Sequence, residues 1–180
     1  MITAANDAHV TVRAPDPPRG NAQLRVTSTT FHPGGMIPPS MAFAGCGGQN
    51  VSPQLSWTEV PAGTQSFALT CFDPDAPTGS GFWHWVVANI PGSITSLDAN
   101  AAATGLPLGA TQGYTDYGAS QWGGPCPPQG DHPHRYLFTV YALDVPSIEG
   151  AGPMMSGARL VFSMRSHLLA QGSIEGRYGR

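Results

Sequence analysis

Two proline-rich segments, each running into a β-forming stretch that carries a histidine, hold the groups in this chain that could do chemistry. The first is Asp73-Pro74-Asp75-Ala76-Pro77, followed by Phe82-Trp83-His84-Trp85. The second is Gly124-Pro125-Cys126-Pro127-Pro128, followed by His134-Arg135-Tyr136. Proline fixes its own φ and pushes the preceding residue into extended conformations, so such loops keep a shape without much internal hydrogen bonding. Stiff loops bearing carboxylate, imidazole and phenol groups suit the walls of a small polar pocket for an anion. A carboxylate within about 4–6 Å of an imidazole favours the imidazolium. Asp73 beside His84 is therefore expected to keep that ring cationic near neutral pH, with both nitrogens donating. His134 would supply further donors and Tyr136 a hydroxyl. Backbone N–H groups around Gly123 and Gly124 could join them, because glycine lets the chain approach a ligand closely. Phosphate oxygens accept such charge-assisted bonds. Arg135 is expected to point away, since neighbours on a strand alternate faces.

Plainer roles compete with these. His84 lies between tryptophans and could be a packed, satisfied histidine. Trp83 and Trp85 are two apart and are expected on one strand face. Asp73 and Asp75 in a Pro-rich loop are turn formers by default, their carboxylates bonding nearby N–H groups. His132 and His134 with His84 and Asp73 could make an N/O metal site, though no metal is expected. Cys126 with His134 or His84 could form a Cys–His nucleophile. The chain has no G-x-S-x-G elbow, no P-loop and no G-x-G-x-x-G, so those hydrolase and nucleotide motifs do not apply and no cofactor is expected. A binding protein is favoured, with a low-activity hydrolase using the His/Asp/Cys cluster as an alternative.

The elements that must position these residues are mostly strands. The chain has 180 residues, long enough for a sizeable core. It has 23 glycines and 18 prolines, and only 11% of its residues are charged, against roughly a quarter in an average protein. That composition favours many turns and short strands. All eight cations are arginine and the formal net charge is −3, so a nucleic-acid partner is not expected. No apolar run approaches the roughly 20 residues of a membrane span. No signal peptide is visible, and a cytoplasmic location is expected. Three cysteines with no CxxC argue against a disulfide framework. Cys71 sits in an apolar strand pattern and reads as a buried thiol, whereas pairing of Cys46 with Cys126 is left open.

Residues 1–20 read as a polar N-terminal arm and 21–180 as the folded domain. Strands are expected over 24–31, 54–57, 66–72 (half-buried), 82–90 (covered on both faces), 135–143 and 173–178. Residues 92–133 read as a long loop, the kind that is usually functional or disordered. Leu160, Met164 and Leu168 recur at helical spacing, so 153–171 reads as a helix, with Gly172 as its stop.

These segments, with Asn50-Val51-Ser52-Pro53-Gln54-Leu55-Ser56-Trp57 and the Gly172–Arg180 end, resemble the phosphatidylethanolamine-binding protein family in its bacterial Raf-kinase-inhibitor-like branch. The resemblance spans roughly residues 24–180. Mammalian relatives have glycine in place of Cys126 and a second histidine in place of Trp83, which points to the bacterial branch. The resemblance implies a mostly-β fold with few helices, a large central sheet packed on a smaller one, and a C-terminal helix near an anion pocket. It implies ligand-binding roles for Asp73, Pro77, His84, Gly124, Cys126, Pro127, His134 and Tyr136, and a ligand such as phosphate or a phospholipid head group. It also implies a homodimer and, from eukaryotic relatives, a protein partner such as a kinase or protease. A partner could instead be regulated through the pocket rim without any small ligand.

Overall fold

The longest aromatic and branched runs become the longest strands. In chain order the elements are β1 (Arg25–Thr27), β2 (Leu55–Thr58), β3 (Ser66–Asp73), β4 (Phe82–Pro91), β5 (Ser96–Leu97), α1 (Ala101–Thr104), β6 (Thr111–Gln112), β7 (His134–Leu143), α2 (Gly157–Ser163) and β8 (Leu168–Tyr178). Short 3₁₀ turns cover Pro39–Met41, Ala44–Cys46 and Arg165–His167. The structure is a computed structural model that describes residues 22–180; the arm expected over 1–20 lies outside them. A five-stranded sheet runs β6-β4-β3-β7-β8 and a three-stranded sheet runs β1-β2-β5, all paired antiparallel. This is the expected large sheet on a smaller one, with α2 late in the chain.

β3 was expected to be half-buried, yet all eight of its residues are buried. It is the middle strand of five, and both its faces are covered. Phe67, Leu69 and Cys71 pack towards the small sheet with Leu55, Trp57 and Phe138. Ala68 belongs to the opposite cluster with Val86, Leu143, Leu160 and Met164, where α2 shuts out water. Burial pushes the Cys71 thiol pKa well up, and the Asp73 charge adds to it.

The helix is shorter than its apolar period implied. Ser156 caps it by accepting from the Arg159 N–H at 3.3 Å, and it ends at Ser163. Leu168 opens β8 instead of continuing the stripe. Ten pairings, from His134 with Tyr178 to Leu143 with Leu168, commit that segment to the sheet. Tertiary pairing overrides local period here. Gly172 is not a helix stop: it sits inside β8, where a Cβ would overlap the Leu24 carbonyl. The strand expected over 24–31 narrows to Arg25–Thr27, and the long loop over 92–133 contains β5, α1 and β6.

Cys46 and Cys126 form a disulfide, with Cα atoms 5.8 Å apart and 80 residues between them in sequence. The odd cysteine count argued against a disulfide framework and left this one pairing open. The count is odd because the third cysteine, Cys71, is the buried core thiol expected and takes no part.

Candidate functional site

Antiparallel pairing brings the end of β3 beside the starts of β4 and β7, so the two proline-rich loops converge at one end of the large sheet. A cavity of about 200 Å³ lies there. Asp73, Pro77, His84, Cys126, Pro127, His134 and Tyr136 line it, seven of the eight residues expected at the site. Ala76, Thr78, Phe82, Tyr117 and Pro128 complete the lining. Phe82 was legible only as a strand aromatic, and nothing in the sequence around Tyr117 marked it.

A β-bulge delivers His84. Cys71 pairs with Trp85 and Phe72 with Trp83, so His84 is the extra residue with no partner opposite. The bulge resets the alternation of β4. Trp85 goes into the core between the sheets, whereas Trp83 packs against the cluster under α2. The two indoles expected on one face are therefore split, and His84 lines the cavity.

The electrostatics differ from the expected Asp73–His84 pair. Asp73 is bonded to His134, whose Nδ1–H donates to the Asp73 carboxylate at 2.8 Å. Both residues are buried. The other Asp73 oxygen accepts the Asp75 N–H at 2.8 Å, the local turn bond its residue type implied. His84 Nδ1 instead meets the Gly123 carbonyl at 2.7 Å. A carbonyl only accepts, so Nδ1 carries the hydrogen and Nε2 holds the lone pair of the neutral ring. Burial lowers the His84 pKa below its ordinary value; the Gly123 and Gly124 carbonyls and the Asp73 and Asp116 charges oppose this without reversing it. Burial thus favours the neutral ring, against the imidazolium expected.

Arg135 does not line the cavity. Its guanidinium and N–H all bond the Asp75 carboxylate, at 2.6–2.9 Å, which fastens the 74–81 loop to β7. Burial opposes the ionisation of Asp75, but the Arg135 hydrogen bonds and charge hold its pKa below the usual carboxylate value. Tyr136 is fully buried; its hydroxyl has no partner within hydrogen-bond geometry, although the Asp73 carboxylate is near enough to act on it. Burial raises its pKa, and the nearby Asp73 charge raises it further.

The glycine N–H groups expected to reach a ligand are spent within the fold. Gly123 donates to the His84 carbonyl at 2.9 Å and Gly124 to Asn50 Oδ1 at 2.7 Å. Gly124 does not line the cavity; it lets the 39–50 segment pass close behind the wall. A Cβ there would overlap the Met41 carbonyl oxygen and crowd the backbone at Ala42 and Phe43. Gly124→Ala is expected to cost about 1–3 kcal/mol, as overpacking against backbone does, read as a lower urea midpoint with an unchanged slope. A wild-type midpoint would mean the wall moves freely. The nucleophile reading of Cys126 fails in this state because its sulfur is bonded to Cys46. The described residues hold no group of three His, Cys, Asp or Glu side chains placed to bind a metal ion.

The family model for phosphatidylethanolamine-binding protein matches residues 27–179. The UPF0098 protein YbcL of Escherichia coli (strain K12) is 45% identical over 158 residues, covering 85% of this chain and 86% of YbcL. The UPF0098 protein YbhB of the same organism is 44% identical over 158 residues, covering 84% of this chain and 97% of YbhB. The crystal structure of E. coli YbcL, described as a new member of the mammalian PEBP family, superposes with a TM-score of 0.85 over 88% of this chain and 99% of that one.

Proposed function

This chain belongs to the phosphatidylethanolamine-binding protein family, and we propose that it is a binding protein whose cavity takes a small anion, a phosphate or phosphate-bearing head group. The observation that carries this reading is the Tyr136 hydroxyl, buried in the cavity wall without a hydrogen-bond partner, with its ring 5.1 Å from that of His84. A buried unpaired donor costs about 1–3 kcal/mol, which a ligand oxygen would offset. The volume, about 200 Å³, is below the roughly 300–1,000 Å³ of pockets that enclose a drug-sized molecule. It suits a head group whose remainder lies on the exposed lining residues Pro77, Thr78 and Pro128.

Tyr136 donates to one phosphate oxygen. The lone pair of His84 Nε2 accepts the proton of a monoanionic phosphate, or the ring takes up a proton and donates to a dianion. Either way the complex with a dianion gains one proton, and Asp73, Asp116, Tyr117 and Tyr136 are the groups around the ring that set where it does so. An anion raises the His84 pKa from its lowered free value. Affinity is therefore flat at high pH, climbs by up to about tenfold per pH unit as pH falls through the pKa of the complex, and levels off below the pKa of the free protein. Sulfate, whose charge is constant from pH 5 to 8, is expected to show this rise in the wild type and not in His84→Gln. A flat wild-type profile would remove His84 from the anion contact.

Calorimetric titration of wild type and His84→Ala with phosphate, phosphoethanolamine and acetate at pH 6 and pH 8 tests the reading itself. Phosphate and phosphoethanolamine are expected to bind the wild type only, more tightly at pH 6. Failure of every anion to bind the wild type would overturn it. Modulation of a kinase or protease, and pairing into a homodimer, are expectations of the family resemblance and not of the cavity chemistry. No described helix is long and apolar enough to cross a membrane. A cytoplasmic location and the Cys46–Cys126 bond point to opposite redox settings, because glutathione and thioredoxin keep cytosolic thiols reduced.

A further inference from the structure

Cys126 lines the cavity, and its sulfur is tied to Cys46, which ends the 3₁₀ turn Ala44–Cys46. The segment carrying Cys46 backs the same wall without covalent help. Phe43 N–H donates to the Pro125 carbonyl at 3.0 Å, and Asn50 bonds both the Trp122 carbonyl and the Gly124 N–H. The Phe43 ring stacks on Tyr117 at 4.4 Å, and the Tyr117 hydroxyl donates to the Gly124 carbonyl at 2.7 Å. Gly123 in turn holds His84 Nδ1. One disulfide therefore clamps a connected unit that sets the positions of Tyr117, Cys126 and, through Gly123, His84. Both bonded cysteines are partly exposed, and Cys46 lies between exposed Gly45 and Gly47. A thiolate from outside can reach the bond. The remaining thiol, Cys71, is buried and cannot exchange with it.

We propose that the Cys46–Cys126 disulfide is a redox gate on the cavity: oxidised, it holds the wall in the anion-binding shape, and a dithiol reductant releases the wall and weakens anion binding. A thiolate of the dithiol attacks one sulfur, the S–S bond breaks and a mixed disulfide forms. The second thiol of the reductant displaces it and leaves with its partner as a disulfide, and two electrons and two protons end on the Cys46 and Cys126 thiols. The wall keeps its hydrogen bonds but loses the constraint that pre-orders it, and loss of pre-order lowers affinity. The gate rests on the anion-binding reading above.

The test uses the full chain, oxidised and reduced with dithiothreitol, beside Cys46→Ser/Cys126→Ser. Free-thiol titration confirms the two states, rising from one thiol to three on reduction. Amide exchange over residues 43–50 and 122–128 reads the wall without any ligand, and phosphate calorimetry reads the cavity. Reduction is expected to speed exchange at Phe43 and Gly124 by about tenfold and to weaken phosphate binding by about fivefold or more. The double variant should match the reduced protein and ignore dithiothreitol. Unchanged exchange after full reduction overturns the gate, and so does faster exchange with an unchanged phosphate affinity. Faster exchange in a protein that binds no phosphate in either state removes anion binding as the gated event, and the proposal falls with it for that separate reason.

Discussion

Replacing Asp73 with alanine is expected to cost about 3–5 kcal/mol and to abolish phosphate binding. Asp73 and His134 are each less than 3% exposed, and their hydrogen bond is 2.8 Å long. Removing one partner of a buried pair strands the other without compensation, which is the costly case for such pairs. Alanine also removes the acceptor that closes the turn to the Asp75 N–H, and with it the geometry from which Asp75 reaches Arg135. Asp73→Asn keeps the shape and one accepting oxygen, so its loss is expected to be smaller, about 1–3 kcal/mol. Urea unfolding of the two variants separates these outcomes. A midpoint for the alanine variant within about 0.5 kcal/mol of wild type would mean that His134 finds another partner and that the pair does not organise the site.

Loss of the Cys46–Cys126 bond is expected to lower stability by about 2–4 kcal/mol. Cross-linking residues separated by 80 positions restricts the unfolded chain, and the loop-entropy relation puts the ceiling near 4.5 kcal/mol. The hydrogen bonds of Phe43, Asn50 and Gly124 keep the folded wall assembled after reduction, though without the pre-ordering constraint of the bond, so most of the stability effect acts on the unfolded state. For a chain of this size the melting temperature should fall by about 5–15 °C on reduction. Thermal melts with and without dithiothreitol measure it, and Cys46→Ser/Cys126→Ser should melt at the reduced temperature in both. Coincident melts of oxidised and fully reduced wild type would show that the bridge adds no stability.

Much of the fold is legible in the amino-acid pattern alone. The apolar runs at 66–72, 82–90 and 135–143 favour long strands, because aromatic and branched residues of that density suit a pleated, buried surface. The turn residues between them suit antiparallel or irregular connections. The end of the chain is less legible. Leu160, Met164 and Leu168 have helical spacing, but pairing with β7 takes Leu168 into the sheet, and local periodicity carries no information about that partner.

The site divides in the same way. Residue type and order singled out the candidate groups, since the proline-stiffened loops that carry Asp73, His84, His134 and Tyr136 are local features. The resemblance those segments carry added the expectation that they share a pocket. Only the tertiary structure decided how they are wired. The bulge at His84 depends on the register of β4 against β3, and it splits Trp83 from Trp85. Asp73 bonds His134, and not His84, although β3 neighbours both β4 and β7 at that end of the sheet. Burial lowers the His84 pKa, and the hydrogen bond to the Gly123 carbonyl, 39 positions away, fixes which ring nitrogen donates. Cys46 meets Cys126 across 80 residues. Each of these facts depends on which strands are neighbours and in what register. Such long-range pairings are set by the packing of the whole sheet and leave no mark in the spacing of the residues they join.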